Sequence, residues 1–187
     1  MGILIIVGIV ALLALVVVGV YNKYIKLKNL NQEGWSGVEV YLQKRWDLIP
    51  NLVNTVKGYA THESQTLENV IKMRSQVMSI DTKDIDNIEK VQKIENELTK
   101  TLRSIMMLQE SYPNLKADQS FLSLQSELSS IETDVQRARK YYNGTARDLN
   151  TFVETFPKNI IGNFLSFKTA KFFDADDQVH TVPEVKF

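Results

Sequence analysis

The first charged side chain in the sequence is Lys23. Before it runs MGILIIVGIVALLALVVVGVYN, residues 1–22, almost without a polar interruption. A helix rises about 1.5 Å per residue, so this stretch matches the roughly 30 Å hydrocarbon core of a bilayer. That single feature constrains the whole chain, because the residues after it then form a domain hung from a membrane.

A cleaved signal peptide would need a positive n-region, a short apolar core and a small-residue cleavage site. No Lys or Arg precedes the run, its core is long, and GVYNKY has no A-x-A character. An uncleaved single span is expected. Lys23, Lys26 and Lys28 crowd its C-terminal side, and an excess of Lys and Arg stays in the cytoplasm. The expected topology is N-terminus out, with the domain beyond the span in the cytoplasm. Tyr21 and Tyr24 suit the headgroup boundary, and no G-x-x-x-G in the run argues for close helix dimerisation.

The 187 residues leave room for one domain beyond the span. Lys and Arg number 22, as do Asp and Glu, so a nucleic-acid partner has no electrostatic basis. With zero Cys, disulfides, thiolate metal sites and Cys nucleophiles are excluded. Eight Gly and four Pro imply few turns, hence long helices.

The clearest helix starts after Asp118, a plausible N-cap, and runs toward Thr155. Phe121, Leu124, Leu128, Ile131, Val135, Ala138, Tyr142, Thr145, Leu149, Phe152 and Phe156 succeed one another at alternating steps of three and four. That is the seam of an antiparallel bundle or coiled coil. Ile88, Val91, Ile94, Leu98, Leu102, Ile105 and Leu108 mark a second helix, from Asp84 or Asp86 to about Ser111, before Pro113. Val53, Val56, Ala60, Leu67, Val70 and Val77 mark a third, from just after Pro50 to about Ser79. Trp35, Val38, Leu42 and Ile49 mark a fourth that continues from the span. Pro50 either starts a new helix after a turn or interrupts a longer rod. The expected fold is all-α: an anchor at 1–22, an up-and-down bundle over 23–173, and a loosely ordered tail over 174–187. Four passes with a turn at Pro50 are favoured over three with a kinked first helix. Four passes return the chain to the membrane near Phe156.

Catalytic patterns are sparse. His62-Glu63 lacks the second His of a zincin, since position 66 is Thr. The other His is His180, no Glu-x-x-His pair of a di-iron bundle occurs, and no phosphate-binding glycine loop is present. No cofactor or metal is expected. Polar residues on the seams stand out instead. Glu63 and Arg74 interrupt the third helix's apolar stripe. Glu132, Gln136, Arg139, Asn143 and Asn150 line the flank of the long seam. They form either a half-solvated flank or a buried polar layer that fixes helix register. The stretch FPKNIIGNFLSFKTAKFF puts Phe156, Ile160, Ile161, Phe164 and Leu165 on one helical face, with Lys158, Lys168 and Lys171 as its charges. It either caps the bundle or lies on the membrane surface.

The order of YNKYIKLKN, QEGWSGVEVYLQKRWDLIPNLVNTVKGYATHE, ADQSFLSLQSEL and RARKYYNGTARDLNTFVETFPKNIIGNFLSF resembles the LemA family of bacterial membrane proteins. Residues 79–101 match only in being helical, and the tail after Phe173 is not covered. The resemblance implies a single-pass anchor, an antiparallel helical bundle and no known catalysis. The family's similarity to a magnetosome-membrane protein hints at membrane organisation. The expectation is a non-enzymatic, membrane-anchored homo-oligomeric scaffold, with the lipid bilayer as its partner. The alternative is a tethered adaptor or signalling module that docks a protein. A hydrolase built on His62 and Glu63 is disfavoured by its missing ligands.

Overall fold

One helix carries the chain from the apolar run into the bundle. In the computed structural model, which describes residues 1–82 and 84–173, α1 runs Gly2–Lys57 through Pro50. The other helices are α2 (Ser64–Met78), α3 (Ile88–Met107), the short α4 (Pro113–Lys116), α5 (Gln119–Glu154) and α6 (Lys158–Phe164). Turns of 3-10 helix lead into α2 and α3 and succeed α3. No strand occurs among the described residues. The tail expected over 174–187 lies outside them.

Four passes are present, but the turn is not at Pro50. It comes at Gly58–Ala60, where the amides of Tyr59 and Ala60 both reach back to the Val56 carbonyl. A proline inside a helix leaves the carbonyl four residues earlier without its amide donor. Here that carbonyl belongs to Trp46, and Arg74 Nε on α2 donates to it at 2.8 Å. The helix therefore passes Pro50 with its backbone satisfied, and residues 51–57 belong to α1 rather than to a third helix.

The passes differ in length. Residues 23–57 span about 52 Å and α5 about 54 Å, whereas α2 covers only about 22 Å. α1 and α5 are thus the full-length pair. They run antiparallel in a constant register: Asn31 meets Thr145, Arg45 meets Glu132 and Tyr59 meets Asp118. The helices approach closely at Gly34, where an added Cβ would come within 3.2 Å of Thr145 Oγ1 and 3.4 Å of the Tyr142 Cα. α2 and α3 fill the distal end and turn back near Trp35, whose indole N–H donates to the Thr82 carbonyl at 2.6 Å.

Among the described residues the core has two parts. A large distal cluster joins all four passes around Trp35, Leu42, Ile49, Val70, Leu98 and Phe121. A smaller proximal cluster of Tyr24, Leu149 and Phe152 lies near the apolar run. Each fully buried aliphatic side chain contributes about 1.5–3 kcal/mol. At the start of α5, Asp118 caps the helix by accepting from the Phe121 amide at 2.8 Å. Tyr59 donates to the same carboxylate at 2.8 Å and so ties the α1 turn to the α5 start. Both bonds favour the charged carboxylate and hold Asp118 below its usual value, the Phe121 amide most.

Residues 1–19, by contrast, touch little of the protein and are exposed throughout. This part of α1 is long and apolar enough to cross a membrane.

Candidate functional site

Three polar or apolar arrangements sit on this frame, at different heights along α1 and α5. The most distal is a buried ionic layer. Arg45 and Glu95, each 3 % exposed, form an ion pair between α1 and α3. Arg45 Nη1 also reaches Glu132 on α5 at 2.8 Å and donates to Thr99 Oγ1 at 3.2 Å. The Trp46 indole donates to Glu95, and Gln136 donates to Glu132 at 3.5 Å. Burial pulls the Arg45 guanidinium below its ordinary value. The Glu132 carboxylate pulls it back up, and Arg139 works against it. Three helices are thereby held in register by one cation. Removing a member of such a buried pair costs about 3–5 kcal/mol, because the other charge is left uncompensated. A cavity of about 520 Å³ opens beside this layer between α3 and α5, lined in part by Arg45, Arg103, Met106, Leu122 and Glu132.

The second arrangement straps the returning chain onto α5. Asn150 donates to the Ala170 carbonyl at 2.9 Å and accepts from the Ala170 amide at 2.7 Å. Asn143 does the same for Phe173, at 3.1 and 2.9 Å. The geometry is commensurate: seven helical residues rise about 10 Å, as do three extended ones. Two carboxamides seven apart on a helix therefore meet every third peptide unit of an extended chain. Tyr142 donates to the Lys171 carbonyl at 2.6 Å, and burial pushes its hydroxyl up to about 12. The Arg139 guanidinium lies 4.4 Å above the Phe173 ring, a cation–π contact.

The third is the proximal end. After α6, Ser166 takes a positive φ of 55° and the Phe167 amide bonds back to the Gly162 carbonyl at 2.8 Å, a Schellman ending. This throws Phe167 onto Tyr24, with the rings stacked 3.8 Å apart. Ile160 and Phe164 are exposed, while Ile161 and Leu165 are half-buried. Lys168 is exposed, whereas Lys171 pairs with Glu89 at 3.3 Å and so belongs to the bundle side.

The model of the LemA family matches residues 34–187. The chain belongs to the LemA family. It is also similar to Protein LemA of Metamycoplasma hominis, at 25 % identity over 163 residues, which are 87 % of this chain and 72 % of the relative. The match begins at Gly34, so the LemA region takes in the ionic layer, the strap and α6, and leaves out the apolar run.

Within this LemA bundle the polar residues expected to act as one seam divide. Glu132 enters the ionic layer, Asn143 and Asn150 clamp the strap, and Arg139 covers Phe173. Arg74 serves the Trp46 carbonyl. Glu63 is half-buried in the turn before α2, where its side chain makes no capping bond to that helix. His62 beside it is exposed, and His180 lies outside the described residues. Among the described residues no three His, Cys, Asp or Glu gather as a metal would require.

Sequence reasoning passed over Arg45 and Glu95, although the signal was available. Trp35, Val38, Leu42, Arg45, Ile49, Leu52 and Val56 step by three and four, as do Ile88, Val91, Glu95, Leu98, Leu102 and Ile105. Both charges occupy seam positions. Reading the neighbouring Ile94 as the seam residue hid Glu95, and Arg45 fell in the unassigned step between Leu42 and Ile49.

Proposed function

We propose that this LemA-family chain is a non-enzymatic, membrane-anchored scaffold that self-assembles and organises the cytoplasmic membrane. The observation that carries the reading is the unbroken course of α1 from Gly2 to Lys57. With no linker between the apolar run and the bundle, neighbouring bundles in one bilayer stand in a preset orientation. Confinement to a plane raises their local concentration, so modest lateral contacts suffice. Val40 and Tyr141, each 53 % exposed on the full-length helix pair, supply apolar contact area on the flank. The residues brought together here pair, clamp and pack, and none forms a nucleophile–base set. The expected partners are the bilayer and further copies of the chain, packed side by side.

Native mass spectrometry of polymer-nanodisc extracts tests this. Multiples of the 21.4 kDa chain are expected. A single-chain species, unchanged by crosslinking in native membranes, would instead favour the membrane-tethered adaptor, for which the cavity between α3 and α5 offers a place for a partner's side chains.

A further inference from the structure

The end of the bundle nearest the apolar run carries a surface that internal packing leaves bare. Phe164 is 87 % exposed, Phe156 74 % and Ile160 61 %. A step of four places Ile160 and Phe164 on one side of α6, and Phe156 is exposed in the turn leading into it. The adjacent side is already used. Ile161 and Leu165 are half-buried there, and a Cβ at Gly162 would meet the Phe167 ring at 3.1 Å. A helix that merely capped the bundle would need only that inner side.

The height of this surface is fixed by the aromatic contacts. Phe167 stacks on Tyr24 and lies 6.3 Å from Tyr21, and the Lys168 amide donates to the Tyr24 hydroxyl at 3.0 Å. The chain just after α6 is therefore level with the last turn of the apolar run. Cations gather at the same level. Lys23, Lys26, Lys28 and Lys168 are exposed, and Lys158 Nζ sits 4.7 Å from the Phe152 ring. Against them stand Glu154 and, lower on α5, Asp148, which already lies 3.6 Å from Arg147.

We propose that α6 is an interfacial foot that binds the headgroup layer of an anionic phospholipid bilayer. Phe156, Ile160 and Phe164 enter the acyl boundary, and the lysines face the phosphates. The proposal rests on the reading of the apolar run as a span. Two features together support it. The bare face belongs to the segment whose next residues, Phe167 and Lys168, pack on Tyr21 and Tyr24 at the end of the exposed apolar run, so a bilayer that receives the run meets this segment. The exposed lysines near this level suit anionic headgroups, which draw Lys toward a membrane surface. A soluble partner on this face would have to sit inside the headgroup layer.

The sequence contains no Cys, so one introduced thiol reports one place. The full chain carrying Phe164→Cys, labelled with a polarity-sensitive fluorophore, is placed in nanodiscs of equal parts phosphatidylglycerol and phosphatidylcholine. Lipids bearing a nitroxide near the headgroup should quench it several-fold more than the same label at Ser130→Cys on α5. Pure phosphatidylcholine should weaken that quenching, and Lys158→Glu with Lys168→Glu should remove the difference between the two lipids. A label at Val10→Cys, quenched by deep-acyl nitroxides, checks the span separately. If Val10 is quenched while Phe164 is as accessible as Ser130, the foot is overturned and the span stands. A Phe164 label that is blue-shifted yet unquenched by lipid means that protein covers the face, and this too overturns the foot. Quenching that ignores the lysine changes overturns the role given to charge. An unquenched Val10 removes the span and the foot with it.

Discussion

Pro50 and Arg74 act as a unit although they lie on different helices. Proline removes the amide that would bond the Trp46 carbonyl, and Arg74 Nε supplies a substitute at 2.8 Å. Arg74→Ala should therefore destabilise the protein by about 1–3 kcal/mol, the cost of a stranded buried acceptor. Pro50→Ala restores a backbone donor at the same place, so the Arg74→Ala cost should shrink in that background. Denaturant melts of the four variants in mild detergent measure the coupling. Equal Arg74→Ala costs in both backgrounds would separate the two residues. From sequence, Arg74 was legible as a polar intrusion on an apolar stripe, but its purpose was not, because the proline it serves lies 24 positions away. The same holds for Asn143 and Asn150: their flank was visible, but an extended chain has no periodicity that announces what clamps it. Arg45 and Glu95 needed a stricter reading of the heptad, in which charge at a seam position outranks a neighbouring apolar residue.

At the scale of elements, helix existence was far more legible than helix boundaries. α5 begins after Asp118 and ends at Glu154, as its cap and its seam imply. The end of α1 was misplaced because proline outranks glycine as a breaker in sequence, whereas in the fold a side chain from α2 repaired the proline. The strap carries a pH signature in the alkaline range. Tyr142 is raised to about 12 in the folded protein, against about 10 when unfolded. A raised value means that its contribution to stability is complete below about pH 10 and fades as pH rises toward 12. Tyr142→Phe should flatten the stability curve across that alkaline window. It should also lower stability at neutral pH, because the Lys171 carbonyl loses its donor. Thermal melts of both proteins at stepped pH check this, and parallel curves would assign the alkaline loss to other tyrosines.

At the scale of the molecule, the all-helical bundle and the membrane-length run were plain in the sequence, since both rest on the arrangement of apolar residues. Their direct connection was legible too, since the helix of Trp35 to Ile49 was expected to continue from the run; what was not legible is that α1 passes Pro50 and ends only at Lys57, because that depends on Arg74 serving the Trp46 carbonyl. Orientation is a whole-molecule property with its own test. A thiol at Ser130→Cys, exposed on α5, should resist membrane-impermeant maleimides in intact cells and react after lysis; equal labelling in both would reverse the topology. The continuous α1 also makes the molecule a lever. Residues 23–57 extend about 52 Å beyond the apolar run, so a change of about 10° in tilt carries Gly58–Ala60 sideways by about 9 Å. Spans meet a thinner or thicker bilayer partly by tilting. With α1 unbroken between the apolar run and the bundle, a run placed across a bilayer as proposed would magnify a difference of a few Å in lipid thickness into a lateral displacement at the tip.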